Sequence, residues 1–306
     1  MGATYRVEHD TRYVYGSTVD ASQHLAYLRP RELPYQHVGL HQLTVTPAPA
    51  HSLQRTDYFG NTADHFHIMR PHQELTVSAR SIVHVLDRHT AMNPDDSPPW
   101  KEVAREMTRP AGTIDPEIAQ FTQPSPYLPL TSSIEAFALE SFPAGATVLG
   151  GALHLMHSIH NSFTFDASAT NVTTPVTRVF AARRGVCQDF AHVAISCLRS
   201  LGLAARYVSG YLLTDPPPGQ PRLVGADASH AWLSVYCPAH GWVDLDPTND
   251  LVVGLRHITL AWGRDFGDVS PLRGVLLRGA EHKLYVGVSV VPIDEAGATV
   301  SSPAVL

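Results

Sequence analysis

The stretch Arg183-Arg184-Gly185-Val186-Cys187-Gln188-Asp189-Phe190-Ala191-His192 lies where the sequence predicts the start of a helix. From this stretch onward, apolar residues fall at positions 186, 190, 193, 194, 197, 198 and 201, the spacing of a helical face that packs on a core. Leu201-Gly202 predicts the end of this helix, because glycine is frequent just beyond a last helical turn. Cys187 is therefore expected in or next to the first turn.

A thiol at the start of a helix is a candidate nucleophile. The free N–H groups of the first turn and the helix dipole stabilise a thiolate, and the same N–H groups can donate hydrogen bonds to an oxyanion. Gly185 would allow a substrate to approach closely. Asp189 either opposes the thiolate through its charge or complements the helix dipole, and both interpretations stay open. Cys197 belongs to the apolar face and Cys237 to a predicted turn, so Cys187 is the candidate.

A second segment offers a base for the thiol and a group that orients the base. Residues 228–249 predict an antiparallel hairpin that turns at Pro238. With that centre, His230 lies directly opposite Asp246, with Cβ atoms about 5 Å apart. Asp244 lies on the same face and is a rival orienting group. A thiol, an imidazole and a carboxylate are the groups that nucleophilic catalysis on a carbonyl needs.

The two faces of this hairpin have different compositions. One face predicts a core, because it carries Leu233, Val235, Val243 and Leu245. Trp232 and Trp242 lie on the other face, together with His230 and Asp246. The two tryptophans would either line a substrate cleft or pack in the core, and the sequence does not separate these alternatives.

The composition excludes several classes of protein. The chain has 306 residues, with 22 Lys and Arg against 28 Asp and Glu, and its net charge of −6 argues against a nucleic-acid or anionic-membrane binder. Three cysteines are too few for a disulfide framework, which favours a reducing compartment. No secretory signal opens the sequence and no apolar stretch reaches the length of a membrane span. We therefore expect a cytoplasmic protein that binds no membrane.

No metal or other cofactor is expected. Cys237 and His240 have ligand-like spacing, and His65 and His67 are close in sequence. No second cysteine pair and no HExxH sequence completes a tetrahedral ligand set around either pair. The sequence also lacks a phosphate-binding glycine loop.

The chain divides into four predicted regions. Alternating apolar and polar residues in 1–87 predict an amino-terminal antiparallel β domain. Residues 88–160 form a connector and a helical segment, and the proline-rich part 88–130 is either a plain linker or a lid. Residues 161–270 form the predicted catalytic core. Residues 271–306 form a carboxy-terminal strand segment and tail.

Several segments together resemble the bacterial transglutaminase-like superfamily. The core resemblance lies in Arg184 to His192, Ala205 to Tyr211, Asp227 to Trp232 and Gly241 to Asn249. The order Cys, His, Asp along the chain matches that family. Asp57-Tyr58-Phe59-Gly60-Asn61 is similar to the amino-terminal β domain of bacterial members, and Gly263 to Val269 is similar to the segment after their core.

The resemblance implies an α+β fold of the papain-like type. In this fold a helix that bears Cys187 packs on an antiparallel sheet, and an amino-terminal antiparallel β domain precedes them. The resemblance also implies that Cys187 is the nucleophile, His230 the base, and Asp246 rather than Asp244 the orienting group. It implies an acyl-enzyme formed from an amide, and no calcium-binding loop is recognisable.

The predicted function is a cysteine-dependent amide hydrolase, which forms a thioester with a peptide or glutamine-type amide of a peptide or protein substrate. Hydrolysis is preferred because transfer to an amine needs a site closed to water, which the sequence does not demonstrate. Gln188, Trp232 and Trp242 are candidate substrate-binding residues. Two alternatives stay open: a transglutaminase that passes the acyl group to an amine, and a non-catalytic binding or scaffold protein on the same fold.

Overall fold

The computed structural model describes residues 2–88, 92–109, 115–215, 229–279, 281–294 and 297–300. Asp227 and Ala228, which belong to one of the family-like segments, lie outside this range. The strands are β1 Gly2–Val19, β2 Ala21–Ala26, β3 Gln36–Thr46, β4 His51–Thr56, β5 Thr62–Ile68, β6 His72–Leu86, β7 Thr164–Phe165, β8 Arg184–Gly185, β9 Ala205–Leu212, β10 Ser229–Cys237, β11 Gly241–Asp246, β12 Leu251–Val252, β13 His257–Gly263, β14 Leu272–Leu277 and β15 His282–Ile293. The helices are α1 Trp100–Thr108, α2 Pro116–Ala119, α3 Ser132–Ser141, α4 Val148–Ser162, α5 Val176–Ala182, α6 Cys187–Ser200 and α7 Phe266–Val269. None of the described helices is both long and apolar enough to cross a membrane.

Two four-stranded antiparallel sheets form the amino-terminal β domain. Their strand orders are β15-β1-β6-β3 and β14-β2-β5-β4. In β1, Tyr5, Val7 and His9 are buried while the residues between them are partly exposed, as period-2 alternation requires. The strands β14 and β15 each occupy one edge of a sheet. The carboxy-terminal segment is therefore not a separate unit, because its strands complete the amino-terminal domain.

A five-stranded antiparallel sheet and a central helix form the core. The sheet order is β12-β11-β10-β9-β13, and α6 packs on β9 and β10. The helices α3, α4 and α5 also contact α6. Helix α6 begins at Cys187 and ends at Ser200, as the apolar spacing and Gly202 predict. The α+β class predicted from the sequence is confirmed.

Helix α6 is buried on all sides, which differs from the single buried face predicted for it. The polar residues opposite the apolar face are also buried, and they are Asp189, His192, Ser196 and Arg199. The guanidinium of Arg199 donates to the carbonyl of Ala205 at 2.8 Å and to that of Arg264 at 2.7 Å. His192 Nε2 accepts from the Phe266 N–H at 3.2 Å. These bonds compensate the loss of hydration, so the polar side of α6 can also be covered.

The hairpin of β10 and β11 has a different register from the predicted one. The turn is not centred on Pro238, because 238–240 form a three-residue turn and Gly241 follows with a φ of 71°. This turn is centred one residue later, on Ala239, and a left-handed residue commonly follows turns of this length. The partner of each residue therefore moves by two positions, which keeps His230 and Asp246 on one face but makes them diagonal neighbours. The observed pairs run from Leu233 with Leu245 to Cys237 with Gly241.

The amino-terminal domain binds the free edge of β13 through two side-chain amides. Gln36 donates from Nε2 to the carbonyl of Thr259 at 2.8 Å and accepts its N–H at Oε1, also at 2.8 Å. Asn61 binds Trp262 in the same way, at 2.8 Å to the carbonyl and 2.9 Å from the N–H. Asn61 ends the family-like segment 57–61. These amides satisfy the edge of β13 as a further strand would.

The proline-rich segment 88–130 packs against the rest of the chain where it is described. In α1, Trp100, Val103 and Met107 are buried. Further along, the Phe121 ring lies 5.8 Å from that of Phe59 in the amino-terminal domain. These contacts describe a packed connector. Residues 89–91 and 110–114 of this segment lie outside the described residues.

Candidate active site

Cys187 is the first residue of α6 and is partly exposed. The N-terminus of this helix is capped by Asp189, whose Oδ2 accepts from the Val186 N–H at 2.9 Å and from the Thr170 hydroxyl at 2.6 Å. Burial raises the pKa of Asp189 despite these two hydrogen bonds. A side chain at Gly185 would place its Cβ 2.5 Å from Asp189 Oδ2. Gly185 thus makes room for this carboxylate, which is a different reason from the substrate approach suggested by the sequence.

His230 lies on β10 between Asp246 and Cys187. Its Nε2 donates to Asp246 Oδ2 at 2.6 Å, and its side chain also hydrogen-bonds Cys187. Since Nε2 is occupied by the carboxylate, Nδ1 is the ring nitrogen that remains for the thiol. Burial by itself lowers the pKa of His230, but the hydrogen bonds and charges of Asp246 and Cys187 outweigh burial and raise it to about 10. The raised pKa favours the imidazolium form of His230 beside the Cys187 sulfur.

Asp246 is buried and accepts five hydrogen bonds. Its Oδ1 accepts the N–H groups of Thr248 at 2.9 Å and Asn249 at 3.2 Å. Its Oδ2 accepts from His230, from Asn249 Nδ2 at 2.7 Å and from His257 Nε2 at 3.1 Å. Burial would raise the pKa of Asp246, but the hydrogen bonds from the two histidines hold it well below its usual range. The carboxylate is therefore charged and fixed in orientation.

The rival carboxylate, Asp244, has other partners. It accepts from Trp232 Nε1 at 3.2 Å, accepts a short hydrogen bond from the Ser234 hydroxyl, and forms an ion pair with Arg88 at 2.9 Å. The structure thus brings together Cys187, His230 and Asp246 and leaves Asp244 in a separate polar cluster.

The structure places only one of the three candidate substrate-binding residues at an accessible position beside the thiol. Gln188 is partly exposed, and its Nε2 lies 3.5 Å from the carbonyl of Val172. Trp232 is fully buried, and its ring lies over Gly210, where an added Cβ would be 2.3 Å from it. A side chain without accessible surface does not touch a substrate, so the core-packing alternative holds for Trp232.

Trp242 lies at the other end of the hairpin from His230. It pairs with Tyr236, which is six residues from His230 and hence about 20 Å away along the strand. Its ring contacts that of Phe121 at 5.4 Å and the guanidinium of Arg206 at 4.2 Å. This distance from His230, which hydrogen-bonds Cys187, argues against the cleft-lining role suggested for Trp242.

Sequence reasoning missed two residues that bind Asp246. Asn249 lies in the quoted Gly241 to Asn249 segment but received no role there. His257 opens β13, which is not a neighbour of β11 in the sheet. Among 18 histidines, its position in a strand gives no local signal that it reaches Asp246.

His230, Asp246 and His257 are the one group in the described part of the chain with three metal-ligand atoms within 4.8 Å of one another. The nitrogen–oxygen separations of 2.6 and 3.1 Å are hydrogen-bond lengths. Hydrogen bonds therefore account for this cluster. The pair Cys237 and His240 does not belong to it.

Comparison with known proteins follows the two parts of this architecture. Residues 5–84 match the bacterial transglutaminase-like N-terminal region, and residues 140–247 match the transglutaminase-like superfamily. An uncharacterized protein of Mycobacterium tuberculosis is 40% identical over 297 residues, which cover 95% of this chain and 93% of the relative. The chain belongs to the bacterial transglutaminase-like family. The resemblance inferred from the sequence is thereby confirmed, and the core match contains Cys187, His230 and Asp246.

Two further relatives of this transglutaminase-like chain are informative. A solved structure of a proposed cysteine protease from Cytophaga hutchinsonii superposes with a TM-score of 0.75 and covers 99% of this chain and 95% of its own, at 19% identity. At that identity the likeness shows the fold. A protein-glutamine gamma-glutamyltransferase of Pseudomonas aeruginosa is 33% identical over 88 residues, which cover 28% of this chain and 13% of the relative.

Proposed function

We propose that this protein is a cysteine-dependent amide hydrolase that acts on a peptide or protein substrate in a reducing compartment, the cytoplasm. The observation that carries the proposal is the position of His230, whose imidazole is held between the Asp246 carboxylate and the Cys187 thiol. A charged, oriented carboxylate on one ring nitrogen and a thiol on the other is the arrangement that activates a sulfur nucleophile.

The proposed reaction has two stages. The Cys187 thiolate attacks the carbonyl carbon of the amide, and His230 gives its proton to the nitrogen that leaves as an amine. A thioester remains on Cys187. His230 then takes a proton from water, whose oxygen attacks the thioester and releases the carboxylic acid, and the proton returns to the sulfur–imidazole pair. The Cys187 N–H lies in the first turn of α6 without an intrahelical acceptor, so it can donate to the oxyanion of both stages.

Alkylation of the three cysteines by iodoacetamide tests the activation of the thiol. We expect Cys187 to label at pH 6, where an ordinary thiol with a pKa of about 8.5 hardly reacts. His230→Ala should slow this labelling at least about tenfold, because the imidazolium that favours the thiolate is removed. Mass spectrometry separates Cys187 from Cys197 and Cys237, which are buried and serve as internal references.

The matched control is His37→Ala, since the His37 side chain is 85% exposed and lies in β3, away from Cys187. Its labelling rate should equal that of the unchanged protein. Slow labelling of Cys187 at pH 6 in the unchanged protein, no faster than in His230→Ala, would sink the proposal.

Amine transfer is the second candidate, and it is favoured by the name of the Pseudomonas relative. A substrate that labels Cys187 as a thioester should be offered water alone and water with a primary amine. Hydrolysis predicts mostly free acid at millimolar amine, whereas a transglutaminase would yield mostly the new amide. A binding or scaffold role predicts that Cys187→Ala leaves the cellular phenotype unchanged.

A further inference from the structure

A second imidazole binds the carboxylate of the candidate triad, and the reaction described above does not use it. His257 Nε2 lies 3.1 Å from Asp246 Oδ2, the oxygen that also accepts from His230 at 2.6 Å. His257 is 2% exposed, and its ring packs edge-on against that of Trp232 at 5.2 Å. The ring is therefore held in place and shielded from solvent.

The surroundings of His257 indicate which nitrogen carries its proton. Its Nδ1 is buried and makes no hydrogen bond with any part of the chain that the structure describes. A proton on Nε2 alone satisfies Asp246 and leaves only a lone pair without a partner, whereas a doubly protonated ring would bury an unpaired N–H. Burial lowers the pKa of His257 even though Asp246 raises it, and the charged or titratable groups facing it are Asp246, His230 and Arg88. His257 is thus a neutral donor.

Asp246 does not need His257 to keep its orientation. The N–H groups of Thr248 and Asn249 hold Oδ1, and Asn249 Nδ2 holds Oδ2. What His257 changes instead is the negative charge on Asp246 Oδ2. Each hydrogen-bond donor on this oxygen reduces the negative charge that the other donors on it experience. The donor that shares this charge most directly is His230.

We propose that His257 is a positioning residue, which donates a hydrogen bond from Nε2 to Asp246 Oδ2 and so limits how strongly Asp246 stabilises the imidazolium form of His230. The inference rests on the proposed function, in which the His230 imidazolium must release its Nδ1 proton to the departing amine. An imidazolium that is stabilised too strongly would make His230 a poor general acid at neutral pH.

The test is the titration of His230 by nuclear magnetic resonance in the full chain labelled with ¹⁵N-histidine. The His230 signals are identified by their loss in His230→Gln. His257→Gln keeps an amide N–H where Nε2 lies, whereas His257→Asn is one methylene shorter and does not reach Oδ2. We expect the midpoint of His230 to rise by about half a pH unit or more in His257→Asn, which is about a threefold gain in proton affinity. In His257→Gln the midpoint should stay at the value of the unchanged protein.

An unshifted midpoint in His257→Asn, or the same shift in both variants, would overturn the proposal, because a purely structural role affects both variants alike. The unchanged protein provides a test that needs no variant. Its ring couplings should show the His257 proton on Nε2 alone near neutral pH, and a proton on Nδ1 would overturn the proposal. The titration of His230 tests the role of His257, whereas the labelling of Cys187 tests the proposed function. Failure of one can therefore be distinguished from failure of the other.

Discussion

At the scale of single residues, the structure decides between the two interpretations of Asp189. Its carboxylate turns back to the Val186 N–H and the Thr170 hydroxyl, so it caps the helix that begins at Cys187. The Asp189 carboxylate is thus held by two donors at the helix start, where a negative group is favourable. Gly185 is part of the same cap, because only a residue without a side chain leaves space for this carboxylate.

Gly185→Ala should destabilise the protein by about 1–3 kcal/mol, since the new Cβ would lie 2.5 Å from Asp189 Oδ2. Urea unfolding measures this change. Gly39→Ala is the control, because the nearest atom to its added Cβ is 3.8 Å away. The cost of Gly185→Ala should shrink in an Asp189→Gly background, which removes the Asp189 Cβ at 2.8 Å as well as the carboxylate, and an equal cost in both backgrounds would refute the clash.

At the scale of elements, helix α6 joins a predicted apolar face to a polar face that is also buried. His192 lies on this polar face, accepts from the Phe266 N–H at 3.2 Å and has Tyr207 against its ring at 5.0 Å. Burial lowers the pKa of His192 to about 3. The helix therefore contains a histidine that must stay neutral in the folded protein.

The stability of the protein should fall as the pH decreases from about 6.5, the ordinary pKa of histidine. Between about 3 and 6.5, the unfolded chain binds a proton at His192 and the folded chain does not, so acid favours unfolding. His192→Gln keeps an acceptor for Phe266 and should reduce the slope by up to about 1.4 kcal/mol per pH unit. Urea midpoints at pH 7, 6 and 5 measure the slopes. If the unfolding free energy of the unchanged protein and that of His192→Gln depended equally on pH, a neutral His192 would be contradicted.

His230 should act on stability with the opposite sign. The pKa of His230 in the folded protein is about 10. The free energy of unfolding that His230 contributes is therefore complete below about pH 6.5 and is lost as the pH rises through 10. The two histidines together place the stability maximum near neutral pH.

At the scale of the whole molecule, the amino-terminal domain supports the strand that carries His257. Gln36 and Asn61 bind the β13 backbone at Thr259 and Trp262. The same domain receives β14 and β15 from the carboxy-terminal segment, so both ends of the chain build it. The domain is thus part of the framework of the site, although it contributes none of the three triad residues.

Gln36→Ala should leave the buried N–H of Thr259 unpaired and cost about 1–3 kcal/mol, whereas the Thr259 carbonyl still accepts from the Arg31 N–H at 3.1 Å. Hydrogen exchange of the Thr259 amide should become faster, and urea unfolding gives the loss of stability. Gln42→Ala is the control, because Gln42 lies in the same strand with an exposed side chain. Unchanged exchange at Thr259 in Gln36→Ala would show that the amide is not held by this side chain.

Local patterns in the sequence were sufficient for much of this description. The apolar spacing after Val186 and the glycine at 202 define α6, and strand alternation puts His230 and Asp246 on one face whichever of the two registers is used. The local patterns did not fix the register of the hairpin, because the position of the turn depends on the left-handed Gly241. They also left open whether the two tryptophans line a cleft or pack in the core, since burial of Trp232 requires the space above Gly210 on a neighbouring strand.

The sequence by itself therefore determined the elements, the family and the chemical groups of the candidate site. These depend on interactions between residues a few positions apart and on the order of motifs along the chain. Only the tertiary structure revealed the additional donors to Asp246 and the binding of β13 by Gln36, whose partner Thr259 is 223 residues away. The physical reason is that these contacts form where strands far apart in the chain pack together. Neither the hydrophobic period nor the residue types within one strand specify which distant strand will lie beside it.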